Sequence, residues 1–277
     1  MKATVIGASG YSGGELLRLI AAHPHFQLHG AIAHTSAGEK IAAVHPHLAS
    51  SHSGSFDSFT AELIGSSELL FFALPHGESG KIISDHKELF ASKKIIDLGA
   101  DFRLTSTSQW EKYYGGKHHG VWQYGLPELP GQREKIRTST HIANPGCYAT
   151  ALTLALAPFT QVARKVNLSD VVITAASGTT GAGRSAKINL LGSEVMNSLS
   201  AYKVGGVHQH TPEIEQALTA LSGSEVRLSF TPFLAPMPRG ILASVSIPVT
   251  GISLAEIRDL FSALYLKESF IHILQEG

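Results

Sequence analysis

Residues 3–20 read ATVIGASGYSGGELLRLI. The stretch opens on a short apolar run, residues 3–6, whose pattern predicts a β-strand. It runs directly into Gly7, Gly10, Gly13 and Gly14, and residues 14–22 follow at helical spacing with Leu16, Leu17 and Ile20 apolar. Glycines allow a tight turn and let backbone N–H groups approach a pyrophosphate at a helix N-terminus. The spacing is G-x-x-G-x-x-G, not the commoner G-x-G-x-x-G. Its meaning therefore rests on context, a strand before and a helix after, and both are predicted here.

The same alternation continues. Residues 27–33 and 93–99 read as strands, and 78–90 as a helix. The run ELLFFAL, 68–74, is almost continuously apolar, as expected of a strand buried on both faces. Strands alternating with helices predict a parallel sheet covered on both sides, an α/β nucleotide-binding domain of Rossmann type. At the end of the second strand an NAD site usually places Asp or Glu on the ribose 2′-hydroxyl. Here the strand runs into His34, Thr35 and Ser36, with no carboxylate before Glu39. This favours NADP(H) over NAD.

The second half is patterned differently. Residues 101–140, rich in glycine, aromatic and polar residues, read as irregular structure connecting two domains. A helix is predicted over 148–159, and strands over 171–177, 225–233, 241–249 and, last, FIHIL at 270–274. Ser253 and Glu256 form a capping box opening a helix. The expected division is a nucleotide-binding domain over 1–146 and an α+β domain with a mixed or antiparallel sheet over 147–277.

The balance of 22 basic and 22 acidic residues argues for neither nucleic acid nor a membrane surface as partner. No apolar run is long enough to span a bilayer, and the N-terminus reads as a strand and turn, not a signal peptide. The single cysteine, in 277 residues, excludes an internal disulfide and suits the cytoplasm.

That cysteine, Cys147, lies in IANPGCYAT, 142–150. Pro145-Gly146 makes a turn, so Cys147 falls at a helix N-terminus, where the dipole favours a thiolate. Two readings stand side by side: an inert buried thiol, or a nucleophile carrying a thioester that a hydride then reduces. A base for the second is offered by His208 and His210, which share one face if the segment is extended. No cysteine or further histidine cluster adjoins them, so no metal site is expected. The His-Pro-His at 45–47 reads as structural. Residues 178–185, GTTGAGRS, miss a P-loop by one residue: Arg184 stands where lysine is required. A P-loop NTPase is thus the alternative of a different class.

Taken together, GASGYSGGELLRLI, HPHL, FFALPHG, IIDLGADFRL, YGLPEL, ANPGCYAT, SGTTGAGR and HQHTPEIEQ resemble the N-acetyl-γ-glutamyl-phosphate reductases, relatives of the aspartate-semialdehyde dehydrogenases. The segments run in order across nearly the whole chain. The resemblance implies NADPH-dependent reduction of an acyl phosphate to an aldehyde through a thioacyl enzyme on Cys147, with His208 or His210 as acid/base. It implies Arg103 and Glu213 as contacts to a small-molecule substrate. Gly7, Ser9, Gly10, Tyr11, Ser12 and Gly13 would line the dinucleotide site, with Thr35 and Ser36 near the 2′-phosphate and Pro75, His76 and Gly77 near the cofactor. Gly181, Ala182 and Gly183 would face the nicotinamide end. It also implies a homo-oligomer, dimer or tetramer, and the long apolar strands of the second domain, 225–249, offer it an interface. A sister reductase acting on aspartyl or aminoadipyl phosphate is the nearest enzyme alternative. Two departures stand out: Gln209 replaces the arginine usual between the two histidines, and the family's chains continue for several tens of residues. The expectation is an incomplete chain, which an intact-mass measurement on the native protein checks.

Overall fold

The computed structural model describes residues 1–275. They divide into two compact units: Met1–Gly125 with Thr138–Pro145, and Leu126–Arg137 with the described residues from Gly146 onward.

The first unit is built on six strands: β1 (Lys2–Ile6), β2 (Gln27–Ile32), β3 (Leu69–Phe72), β4 (Lys94–Asp97), β5 (Gln123–Tyr124) and β6 (His141–Ala143). Their order is β2-β1-β3-β4-β6-β5, with every neighbouring pair parallel. All four residues of β3 are buried, which is why its sequence shows no alternation. The side chains of β1 and β3 still alternate between the two faces: Ala3, Val5 and Phe71 go to one, against Leu17 and Ile20 of the first helix. Ile6, Leu70, Phe72 and Ile95 go to the other, against Ile64 and Phe90. The chain leaves β1 in one direction for β2 and returns on the other side for β3. The carboxyl ends of β1 and β3 therefore flank the switch point where such sheets bind ligands.

Several boundaries move. The first helix begins at Tyr11, not at residue 14, and ends at Ala22. The helix expected over 78–90 breaks at His86 (φ −127°, ψ 40°) into Glu78–Asp85 and Lys87–Phe90. The segment read as irregular carries β5 and two helices, Thr107–Tyr113 and Gln132–Thr138. The first of these is anchored by the buried Trp110 and capped by Ser106, whose hydroxyl accepts from the Gln109 N–H at 3.3 Å.

The second unit holds a mixed sheet: β7 (Val171–Ser177), β8 (Ser200–Ala201), β9 (Leu228–Leu234) and β10 (Ile241–Ser246), in the order β10-β7-β9-β8. β7 and β9 are parallel, and the outer pairs antiparallel. Ile173, Ala175 and Phe230 point into one core with Tyr148, Leu152 and Leu156 of helix Cys147–Leu156 and Ile214 and Leu218 of helix Thr211–Ser222. The capping box forms as read, Ser253 and Glu256 closing the start of helix Leu254–Tyr265. The expected strand FIHIL does not form. Its chain turns at Glu268, whose carbonyl accepts from the Ile271 N–H, and the Leu274 carbonyl takes a hydrogen bond from the Arg258 guanidinium instead of from a neighbouring strand. Phe270 is 90% exposed, so burial does not enforce an extended register either.

Candidate active site

In the first unit the glycine loop leaves β1 under tight steric control. Gly7 has φ +88°, and a Cβ there would stand 2.4 Å from the Ala73 carbonyl oxygen after β3. A Cβ at Gly13 would stand 2.3 Å from the Gly7 oxygen. The loop is pinned from β2 as well, since the N–H groups of Gly7 and Ala8 both donate to the Ile32 carbonyl, at 3.0 and 2.9 Å. Helix Tyr11–Ala22 then starts from Gly10 with no side-chain cap. Its first amides carry the positive end of the dipole at the switch point, with Tyr11 and Ser12 exposed. This fits a dinucleotide pyrophosphate.

The helix Glu78–Asp85 behaves otherwise. Asp101, fully buried, accepts from the N–H groups of Gly77 and Gly80, each at 2.9 Å, and so occupies that helix start itself. Sequence reasoning passed over Asp101, although it adjoins Arg103 in GADFRL. His76 is exposed, and its Nδ1 accepts from the Ala100 N–H at 3.1 Å. That leaves Nε2 to carry the proton in the neutral ring. Arg103, 4% exposed, donates to the Leu98 carbonyl at 2.7 Å. Thr35 is exposed and Ser36 half-buried in the turn after β2. The carboxylate alongside that strand, Asp57, accepts the Ala31 N–H at 2.8 Å.

In the second unit the structure brings Cys147, His208, His210 and Glu213 into one neighbourhood. Cys147 is exposed, which removes the buried-thiol reading. It is the first residue of helix Cys147–Leu156, and that helix has no side-chain cap. Gly146 before it is held by the fully buried Glu213, whose Oε1 accepts the Gly146 N–H at 2.9 Å. A Cβ on Gly146 would lie 2.5 Å from Nε2 of His210, so glycine is what lets the imidazole approach the residue before the cysteine.

The two histidines differ. Nδ1 of His208 accepts the His210 backbone N–H at 3.1 Å. Its ring packs edge-on against Tyr148, Tyr202 and Phe230, and burial holds its pKa down at about 3, with the His210 ring and the Lys203 ammonium adding to the effect. Lys203 also donates to Gln209, so a positive charge stands at this turn although residue 209 is not arginine. Tyr148 and Tyr202 were not singled out in the sequence, because a lone tyrosine gives no signal of the box it will line.

The glycine loop after β7 does not behave as a P-loop. The N–H groups of Gly178, Thr179 and Thr180 donate to the carbonyls of Gly240, Met237 and Pro238 at 3.0, 2.9 and 3.1 Å. A P-loop needs such amides for phosphate. Short 3-10 turns, Thr179–Ala182 and Ile188–Leu190, follow where a long helix is required. The NTPase alternative is overturned. Gly181, Ala182 and Gly183 lie exposed on this loop.

Comparison with known proteins accords with this geometry. Residues 2–139 match the family model described as semialdehyde dehydrogenase, NAD binding domain, and residues 147–277 the one described as semialdehyde dehydrogenase, dimerisation domain. The N-acetyl-gamma-glutamyl-phosphate reductase of Acidothermus cellulolyticus is 55% identical over 274 residues, 99% of this chain and 79% of that one. The enzyme of the same name from Streptomyces coelicolor is 46% identical over 278 residues, 100% of this chain and 80% of that one. The chain belongs to the N-acetyl-γ-glutamyl-phosphate reductase family. It is therefore an oxidoreductase of semialdehyde dehydrogenase type.

Among solved structures, aspartate semialdehyde dehydrogenase II of Vibrio cholerae, complexed with ASA, superposes with a TM-score of 0.67 at 14% identity, covering 95% of this chain and 79% of that one. The Candida albicans aspartate semialdehyde dehydrogenase with NADP gives 0.61 at 15% identity, covering 94% and 75%. At such identities these two establish shared fold. Among the described residues, no helix is long and apolar enough to cross a membrane.

Proposed function

We propose that this reductase converts N-acetyl-γ-glutamyl phosphate to N-acetylglutamate 5-semialdehyde and phosphate in arginine biosynthesis, using NADPH and a thioacyl intermediate on Cys147. The observation that carries the reading is the arrangement in the second unit: an exposed cysteine at an uncapped helix start, with an imidazole against the residue before it.

The Cys147 sulfur attacks the acyl carbon while His210 takes the thiol proton. The C–O bond to phosphate breaks, and phosphate leaves, taking a proton from solvent. When bound, the nicotinamide cofactor would supply the hydride that the thioester carbon accepts. His210 returns its proton to the resulting oxyanion, and collapse of the thiohemiacetal releases aldehyde and restores the thiol. The helix N-terminus favours negative charge on sulfur and on the tetrahedral oxygen alike. His210, although itself only 6% exposed, takes the acid/base role because its Nε2 stands against the residue before Cys147, whereas His208 is held neutral and engaged through Nδ1. His208 then acts by positioning His210.

Gly7, Ser9, Gly10, Tyr11, Ser12 and Gly13 would hold the pyrophosphate, with Pro75, His76 and Gly77 near the cofactor and Gly181, Ala182 and Gly183 toward the nicotinamide. Thr35 and Ser36, hydroxyls in a turn without a carboxylate, support preference for a 2′-phosphate. Arg103 would meet the substrate carboxylate through its guanidinium. Glu213, proposed from sequence as a substrate contact, is placed to shape the Cys147 turn. The reading includes a cytoplasmic homo-oligomer. Support for self-association comes from the outward side of the mixed sheet, where Val172 is 48% and Leu242 76% exposed.

The test is the reverse reaction: phosphate-dependent oxidation of N-acetylglutamate semialdehyde, beside aspartate semialdehyde, with NADP and with NAD. Phosphate-dependent activity with the acetylglutamyl substrate and NADP, lost in Cys147→Ala, supports the reading. Activity confined to the aspartyl substrate, or surviving in Cys147→Ala, overturns it.

A further inference from the structure

His45 belongs to the His-Pro-His segment that sequence alone reads as structural. It closes the short helical turn Ile41–Val44 and is 4% exposed. Its Nε2 lies 2.9 Å from the carbonyl oxygen of Ala8, the residue after Gly7 in the glycine loop. A carbonyl only accepts, so Nε2 carries the proton in this contact. The ring is fixed edge-on by Phe56, at 6.0 Å between centroids, and by His47 at 5.8 Å. It also lies against the start of the first helix: a Cβ on Gly14 would stand 2.7 Å from the imidazole.

Ala8 is thereby held at both ends. Its N–H donates to the Ile32 carbonyl and its carbonyl accepts from His45. In a planar trans peptide the C=O and the following N–H point in opposite senses. Fixing the Ala8 carbonyl toward His45 therefore fixes the plane of the Ala8–Ser9 peptide and turns the Ser9 amide to the opposite side. The glycine spacing makes the loop possible but does not choose this orientation. Glycine-rich backbone is conformationally permissive, and something outside it must select one state.

We propose that His45 is a positioning residue of the dinucleotide site, holding the Ala8–Ser9 peptide and the start of helix Tyr11–Ala22 in the conformation that receives the cofactor pyrophosphate. The proposal rests on the dinucleotide role given to this loop above. The side-chain requirement is a hydrogen-bond donor at the position of Nε2, not an imidazole as such.

NADPH and NADP are titrated into the wild-type protein and into His45→Phe and His45→Gln, with fluorescence and calorimetry as readouts and Tm recorded for each. His45→Phe keeps a flat ring of similar size and removes the donor. His45→Gln keeps an N–H donor. The expected result is cofactor binding weakened about tenfold in His45→Phe, the order set by one lost hydrogen bond to a carbonyl, and largely restored in His45→Gln. The cofactor KM rises with it, while the KM for the acyl phosphate does not. If His45→Phe fails to fold, the Gln variant beside His45→Leu makes the same comparison. Binding within twofold of wild type in a folded donorless variant overturns the proposal and leaves the proposed function standing. Equal weakening in the Phe and Gln variants likewise overturns it. A wild-type protein that binds neither dinucleotide overturns both.

Discussion

The backbone N–H of His210 donates to Nδ1 of His208 at 3.1 Å, so one histidine holds the other. Accepting that bond requires a lone pair on Nδ1, and burial keeps the His208 ring neutral, with a pKa of about 3. The acid/base role proposed above therefore falls to His210, whose Nε2 stands against Gly146, the residue before Cys147. His210→Asn is expected to lower kcat by about 10²- to 10⁴-fold, the range for loss of a general acid/base. His208→Asn is expected to lower kcat less. A larger loss of kcat in His208→Asn than in His210→Asn would reverse the assignment.

Glu213 acts on Cys147 through the Gly146 N–H. Glu213→Gln retains an oxygen acceptor for that amide, whereas Glu213→Ala leaves it buried without one. A buried unpaired N–H costs about 1–3 kcal/mol. The Ala variant is expected to melt several degrees lower and to alkylate differently at Cys147 with iodoacetamide, while Gln stays near wild type in both. Identical alkylation rates in all three proteins would remove Glu213 from the geometry of the cysteine turn.

The parts of the fold that were legible in sequence are those where local pattern and burial coincide. β3 was readable because both its faces are covered, and helix Leu254–Tyr265 because its capping box is written in two residues three apart. FIHIL was misread because an apolar pentapeptide carries strand propensity but not a partner, and pairing is a tertiary property. Helix Thr107–Tyr113 was missed although Ser106 and Gln109 stand at capping-box spacing, because the surrounding glycines and aromatics suggested a loop. In the site, Cys147 and the histidine pair were visible as residue types. That His208 is held neutral, and that Glu213 reaches Gly146, depends on contacts some 60 residues apart that no local window contains.

His208 also couples stability to pH. Its folded pKa, about 3, lies below the ordinary 6.5, so the unfolded chain binds the proton more readily. The stabilisation is complete above pH 6.5 and is lost as pH falls toward 3, to a total on the order of 5 kcal/mol. Urea midpoints for wild type and His208→Gln are expected to converge as pH falls from 7 to 4, since only wild type carries this titration. Parallel curves over that range would show that His208 is not buried neutral.

Asp97 should show the opposite sign. It ends β4 fully buried; Oδ1 accepts from the Ser79 hydroxyl at 2.8 Å and the Gly99 N–H at 2.9 Å, while Oδ2 is buried without a hydrogen-bond partner. Burial raises its pKa to about 6, against the lowering effect of those two hydrogen bonds. A carboxyl whose folded pKa is raised contributes stability that is present below the unfolded value near 4 and is lost as pH rises through 6. At pH 8 the ionised, buried group therefore costs on the order of 3 kcal/mol relative to acid conditions. Asp97→Asn keeps an oxygen for Ser79 and Gly99 and removes the charge. The Asn variant is expected to gain in Tm relative to wild type between pH 4 and pH 8, by several degrees across that interval. The comparison needs wild type and variant at each pH, because His208 moves both proteins together in the same range and cancels only in the difference. A Tm difference that is constant from pH 4 to pH 8 would assign the effect of the substitution to packing and remove ionisation of Asp97 from the account.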